Sequence, residues 1–222
     1  MEADGGTRRE RRRVENRGRL LEAAVAVMLR EGYDRATIAG IAREADLGFG
    51  TFYSHFESKE AVFRAAVEES AEARTSLLAG VLEPVDSAPE RIATTCALYV
   101  ALAGRYPQVT RFLLDARRHA ENPGREAAVH PFGDLIEDGC KNGELELADP
   151  QATVAATTGS LLGLIQEMLE GRLSSDAAAR AAADVSLRVV GISPVVARKL
   201  TQAALERVDA YLRAALDEEN EE

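Results

Sequence analysis

The sequence predicts an all-α protein, a small three-helix helix-turn-helix head on a larger helical bundle body, with about ten helices in all. Three observations carry that expectation. Apolar residues recur at i, i+3, i+4 and i+7 along most of the chain, which is the spacing of one helix face. Alanine, the best helix former, is abundant. No segment alternates convincingly as a strand, and no repeat recurs at a fixed period. The 222 residues, 46% of them hydrophobic, are ample for a packed core.

Each element has a local reason. Leu21, Ala24, Val25 and Met28 form the buried face of the first helix, which should stop at Gly32, a usual residue just past a helix end. Thr37 is the expected N-cap of a short second helix burying Ile38, Ile41, Ala42 and Ala45. After a break at Asp46-Leu47-Gly48, Phe49 to Ser54 make a short third helix. Ser58 caps a long fourth one reaching about Leu82. Pro84 and Pro89 bracket a loop. Ile92, Cys96, Tyr99, Val100 and Ala103 form the next stripe. Pro107 opens a helix with Val109, Phe112, Leu113 and Ala116 inward, ended by Asn122-Pro123-Gly124. A further helix stops at Asn142-Gly143. Asp149-Pro150 and Ser193-Pro194 are both a cap followed by proline at the first helical position. The first opens a helix ending near Gly171 and the second opens the last helix. A short helix fills about 175–190. The expected organisation is a flexible arginine-rich arm over 1–16, a helix-turn-helix domain over 17–57, a helical ligand-binding and dimerisation body over 58–217, and an acidic tail over 218–222.

Composition excludes several classes. No apolar run approaches the ~18 residues of a membrane span. The polar, arginine-rich start is not a secretory signal. Cys96 and Cys140 are too far apart for a disulfide framework or a CxxC metal site, so the expected compartment is the reducing cytoplasm. Three histidines without paired spacing give no metal site, and no cofactor is expected. His119 and His130 have no partner constellation and read as surface or half-buried residues.

Charge is segregated. The net charge is −10, yet residues 1–60 hold 11 basic and 11 acidic side chains, so the remainder carries the whole imbalance. Seven arginines lie between Thr7 and Arg19, against Glu10 and Glu15. One end suits a polyanion and the acidic body is repelled by it, a field that can orient a protein on nucleic acid; the alternative reading of the arginines is a disordered, solvated tail.

Within Thr37 to Lys59, Leu47, Phe52 and Phe56 would anchor the third helix from behind. Phe49, Gly50, Thr51, Tyr53, Ser54 and His55 then face outward on a rod of about two turns, which suits a major groove. Gly50 has no side chain and allows close backbone approach. Tyr53, His55 and Lys59 reach toward phosphate oxygens, which fixes register. Here the sequence resembles the TetR family of bacterial transcriptional regulators. The resemblance is carried by Thr37, Ile41-Ala42, Gly50-Thr51-Phe52-Tyr53-Ser54-His55-Phe56 and Ser58-Lys59-Glu60, over about residues 17–65. It implies that Phe49, Gly50, Thr51 and Ser54 face bases while Thr37, Tyr53, His55 and Lys59 hold the DNA backbone. Asp46 stands where the family has Gly, Gly48 where it has Ser or Thr, and Phe49 where it often has a polar or basic residue. Base readout is then expected to be apolar contact between Phe49 and thymine methyls, helped by the arginine arm in the minor groove. Phe49 as an ordinary core residue stays open at this point.

In the body, Cys96, Tyr99 and Gln166 are either satisfied core or interface polar groups or the lining of an effector site. Gly159 and Gly163 suggest close helix approach. The apolar stripes Leu161, Leu164, Ile165, Met168 and Leu205, Val208, Leu212 suit pairing with symmetry mates in a four-helix interface, which the resemblance also implies. The expected function is a homodimeric repressor that binds double-stranded DNA at a near-palindromic operator and is released by a small apolar or amphipathic effector. Two alternatives accompany it: a DNA-binding protein of the same build whose body binds a protein partner, and a helical enzyme or carrier.

Overall fold

The computed structural model describes residues 8–118 and 131–219, and those residues are helical apart from turns and short connections. In chain order the helices are α1 (Arg8–Glu31), α2 (Ile38–Glu44), α3 (Phe49–His55), α4 (Lys59–Leu82), α5 (Ala88–Arg105), α6 (Pro107–Arg118), α7 (Gly133–Lys141), α8 (Pro150–Leu169), α9 (Ser175–Val189) and α10 (Pro194–Glu219). They divide into two compact units. One comprises α1 to α3, α4 as far as Glu72, and α6 from Arg111; the other comprises the chain from Ala73 to Thr110 and α7 to α10.

The first unit closes around one apolar cluster. Leu20, Ala24, Val27 and Met28 of α1 meet Ile41 and Ala42 of α2 and Phe52 of α3, all buried. Turn chemistry sets the angles between these helices. Gly32 ends α1 with φ 85°, and Asp46 turns the chain between α2 and α3 with φ 51°. Aspartate is among the few side-chain-bearing residues that adopt this left-handed geometry readily. Thr37 accepts from the Gly40 N–H at 3.1 Å as the N-cap of α2, and Ser58 accepts from the Ala61 N–H at 3.1 Å at the start of α4. The core does not stop at residue 57. Val62, Phe63, Ala66, Val67 and Phe112 belong to it, with Phe63 edge-on to both Tyr33 (4.7 Å) and Phe112 (5.2 Å).

The second unit is built around α5. Residues Ile92 to Leu98 of that helix are buried on every side, as expected of a helix that is apolar all round. Helices α7, α8, α9 and α10 pack on it, and α9 also packs on α8 and α10. Ser87, Asp149 and Ser174 cap α5, α8 and α9 through their side-chain oxygens. Arg91 closes the α4–α5 turn by donating to the carbonyls of Leu82 (3.2 Å) and Val85 (2.8 Å). Gly139 lets α7 approach α5: a Cβ there would lie 2.8 Å from Ala88 Cβ.

Several boundaries differ from the sequence expectations. Arg8 to Asn16, expected in a flexible arm, are the opening turns of α1. Pro89 lies inside the first turn of α5 and not at the edge of a loop. Helix α10 continues to Glu219, past the expected start of the acidic tail. Residues 1–7, His119, Asn122-Pro123-Gly124, His130 and 220–222, with the side chain of Ala116, lie outside the described residues.

Candidate nucleic-acid interface

Helix α3 is seven residues long, and its two sides differ sharply. Phe52 is fully buried, Phe56 just beyond the helix is buried, and Leu47 packs against the same cluster. These three hold the helix from behind. On the other side Phe49 is 51% and Tyr53 52% exposed, with ring centroids 5.4 Å apart. Half of the Phe49 surface is therefore open to solvent, unlike the enclosed Phe52. A Cβ built at Gly50 meets nothing within 4 Å, so the backbone there is open to close approach. Gly48 is the N-cap and offers no side-chain oxygen, so the first amides of α3 are not capped by it. Free amides at a helix start favour an anion.

The remaining candidates are less uniform. Thr37 is exposed, and its hydroxyl oxygen caps α2. Thr51 is half-buried. Ser54 is exposed and donates its hydroxyl to the Thr51 carbonyl at 2.7 Å. His55 is half-buried. That burial, then the positive charges of Arg13 and Arg17, holds its imidazole below the ordinary value. Lys59 has partners within the chain. Its Nζ donates to the carbonyls of Tyr33 (2.9 Å) and Asp34 (3.4 Å) and lies 4.5 Å from the centre of the Tyr33 ring. In this structure Lys59 ties the start of α4 to the α1–α2 loop.

A cleft of about 670 Å³ lies beside α3, lined by Arg9, Glu10, Arg12, Arg13 and Asn16 of α1 and by Thr51, Ser54 and His55. Sequence reading had assigned these arginines to a flexible arm. The signal was present, because positions 9, 12, 13 and 16 have the i, i+3, i+4, i+7 spacing of one helix face. Three guanidinium groups against the one carboxylate of Glu10 leave this groove with a positive balance.

The body candidates are placed as follows. Cys96 is fully buried, donates its thiol to Ser186 Oγ at 3.2 Å, and is pushed by burial up to about 12. Tyr99 is half-buried, and the Arg74 guanidinium lies 5.9 Å from its ring centre. Gln166 does not line the interior; it is exposed and donates to Glu170 at 2.8 Å along α8. Its neighbour Ile165 is buried and points elsewhere, because one residue is a rotation of about 100° on a helix. Of the interface candidates, Leu161, Ile165 and Val208 are buried within the chain itself, whereas Leu164, Met168, Leu205 and Leu212 are only half-buried. The first three are core because α9 packs against both α8 and α10. Gly159 and Gly163 do not sit under another helix among the described residues: a Cβ at either meets nothing within 4 Å. With Ala152, Ala155 and Ala156 they form an exposed face of small, uncharged residues on α8.

Fold and site together define an all-helical protein with a helix-turn-helix head, the build of a bacterial transcriptional regulator. Residues 20–66 match the model of the bacterial regulatory proteins, tetR family, so the head belongs to that family and the chain has the fold of its regulators. The nucleoid occlusion factor SlmA of Vibrio vulnificus (strain YJ016) is 32% identical over 124 residues, covering 55% of this chain and 63% of that protein. The chain therefore spans less than two thirds of the length of that relative. The uncharacterized HTH-type transcriptional regulator YfiR of Bacillus subtilis (strain 168) is 26% identical over 147 residues, covering 61% of this chain and 71% of that one. Among solved structures, RolR in complex with resorcinol superposes with a TM-score of 0.60 at 25% identity, covering 86% of this chain and 95% of that chain. Among the described residues no helix is long and apolar enough to cross a membrane.

Proposed function

We propose that the chain is a homodimeric, sequence-specific DNA-binding repressor, released from a near-palindromic operator by a small molecule. The observation that carries the reading is the two-sided α3, with Phe52 sealed in the core while Phe49, Gly50 and Tyr53 are open to a groove. One such helix makes few base contacts. At about 1–3 kcal/mol per good bidentate pair, a single head falls short of the ~10⁻⁸–10⁻¹¹ M of specific sites. A dimer engages two half-sites, and the exposed small-residue face of α8 with half-buried Leu164, Leu205 and Leu212 supplies an uncharged surface for a second copy. In this reading Phe49, Gly50, Thr51 and Ser54 face bases. Thr37, Tyr53, His55 and the arginines of the cleft hold phosphates.

An effector in the body releases the operator only if it prefers the state whose two heads miss successive major grooves, about 34–36 Å apart. RolR with its resorcinol supports a small-molecule effector for this build. The likeness to SlmA, a nucleoid occlusion factor, supports a second reading, in which the body meets a protein partner and takes no small molecule.

The test is selection of duplexes from a randomised pool by the full chain, followed by titration of the selected site across salt concentrations. A palindromic consensus with log K falling linearly against log salt is expected. Absence of any selected sequence, with binding indifferent to salt, contradicts the reading and favours a helical enzyme or carrier. Tyr53→Phe should weaken binding to selected and random duplexes equally, because it removes a phosphate contact. A ligand-dependent shift in melting temperature separates effector from partner.

A further inference from the structure

The second unit contains a half-buried arginine, two of whose N–H-bearing nitrogens are sealed from solvent without an acceptor. Arg74 lies on α4, and its Nε and Nη1 are sealed from solvent without a hydrogen-bond partner. The face of Tyr99 lies 5.9 Å from the guanidinium carbon. A ring face attracts a cation, but it accepts none of the in-plane N–H groups. Other arginines of the same unit are treated differently. Arg91 donates to two backbone carbonyls, and Arg207 donates to Thr94 Oγ1 at 3.2 Å. Of the positions one turn from Arg74 and Tyr99, Leu77, Leu78, Cys96, Leu102 and Ala103 are apolar or thiol-bearing and half-buried or buried, and the buried Thr95 hydroxyl donates to the Arg91 carbonyl. N–H groups sealed from water without an acceptor are unfavourable. They are retained most simply where an anion from outside the chain completes them.

We propose that Arg74 is the anchor for the carboxylate of an organic acid, and that Tyr99 lies against the same ligand. The inference rests on the ligand-responsive reading of the body and adds the charge class of the effector. Guanidinium and carboxylate match as a charge-assisted pair. The apolar neighbours then accept the hydrocarbon part. A neutral molecule of the same shape leaves the guanidinium N–H groups unmade, so the site discriminates against it.

The test uses the full chain and its Arg74→Met and Arg74→Lys variants. Melting is recorded without ligand and with benzoate, decanoate, benzamide, decanamide and resorcinol. Without ligand, Arg74→Met is expected to melt at or above the temperature of the unsubstituted protein, because two unsatisfied, sealed N–H-bearing nitrogens are replaced by an apolar chain of similar reach. At least one carboxylate should raise the melting temperature of the unsubstituted protein, and its amide should not. That shift should vanish in Arg74→Met and survive in part in Arg74→Lys. Fitted affinity for the carboxylate should drop about tenfold or more in Arg74→Met. A lower melting temperature for Arg74→Met, or carboxylates without effect on the unsubstituted protein, overturns the proposal. Resorcinol stabilising all three forms equally would leave the ligand-responsive reading intact and still overturn the assignment of an anion to Arg74.

Discussion

Phe49 and Phe52 lie three positions apart on one short helix and have opposite surroundings, the first half in water and the second fully enclosed. That contrast separates stability from recognition one residue at a time. Phe49→Ala should leave the melting temperature within about a degree, since an exposed surface substitution away from special features costs little. The same change should shift the selected operator sequence, above all where thymine methyls meet the ring. A lowered melting point with unaltered sequence preference would make the ring a packing element instead. His55 makes a second, pH-linked test. In the free protein, burial and then Arg13 and Arg17 depress its pKa. Phosphate beside it favours the protonated ring, so the complex has the higher pKa and takes up a proton on forming. Affinity should therefore strengthen as pH falls through the complex's value and level off below the depressed value of the free protein. His55→Gln should flatten the histidine-linked part of that profile. An unchanged profile would remove His55 from the phosphate contacts.

At the scale of elements, the packing of α7 on α5 depends on a missing methyl group. Gly139→Ala places a Cβ 2.8 Å from both Ala88 Cβ and Leu145 Cδ1. Overpacking of this kind costs about 1–3 kcal/mol, read as a lowered urea midpoint with unchanged slope. A neutral or stabilising outcome would mean that α7 shifts freely on its neighbour. Element boundaries were legible wherever their cause is local. Ser58, Asp149-Pro150 and Gly143 act within four residues of themselves, and each falls where the pattern puts it. What was hidden depends on distant partners. Lys59 looks like a free cation in sequence, but the carbonyls that hold it lie 25 and 26 positions earlier. Gln166 lies among apolar neighbours, and the phase of a helix that is apolar on most sides is ambiguous. The stripes of α8 and α10 were visible, but a stripe does not say whether it meets its own chain or a copy. That is why Leu161, Ile165 and Val208 belong to the core. The arginines of α1 were read for charge and not for period, so the cleft they form with α3 was missed.

At the scale of the whole molecule, charge is unevenly distributed along the chain. The acidic excess lies entirely after residue 60, so on the proposed function DNA would meet a charge-balanced stretch with exposed arginines on α1. Oligomeric state is the property that the head cannot decide. Gly163 is exposed on the single chain and has room for a side chain. If that face pairs with a second copy, Gly163→Gln should shift sedimentation from dimer toward monomer at micromolar concentration. The helix content of the monomer should hold or rise, because glycine is a poor helix former. A variant that sediments as the unsubstituted protein does would place the dimer contact elsewhere. One consequence remains at the other end of the chain. Arg9, Arg12 and Arg13 are carried on turns already wound as part of α1. A limb that coils only on contact shows the calorimetric mark of coupled folding, a large negative heat-capacity change. Here that mark should be small, and removal of these arginines should alter the ionic part of the affinity while leaving the heat capacity of association almost where it was.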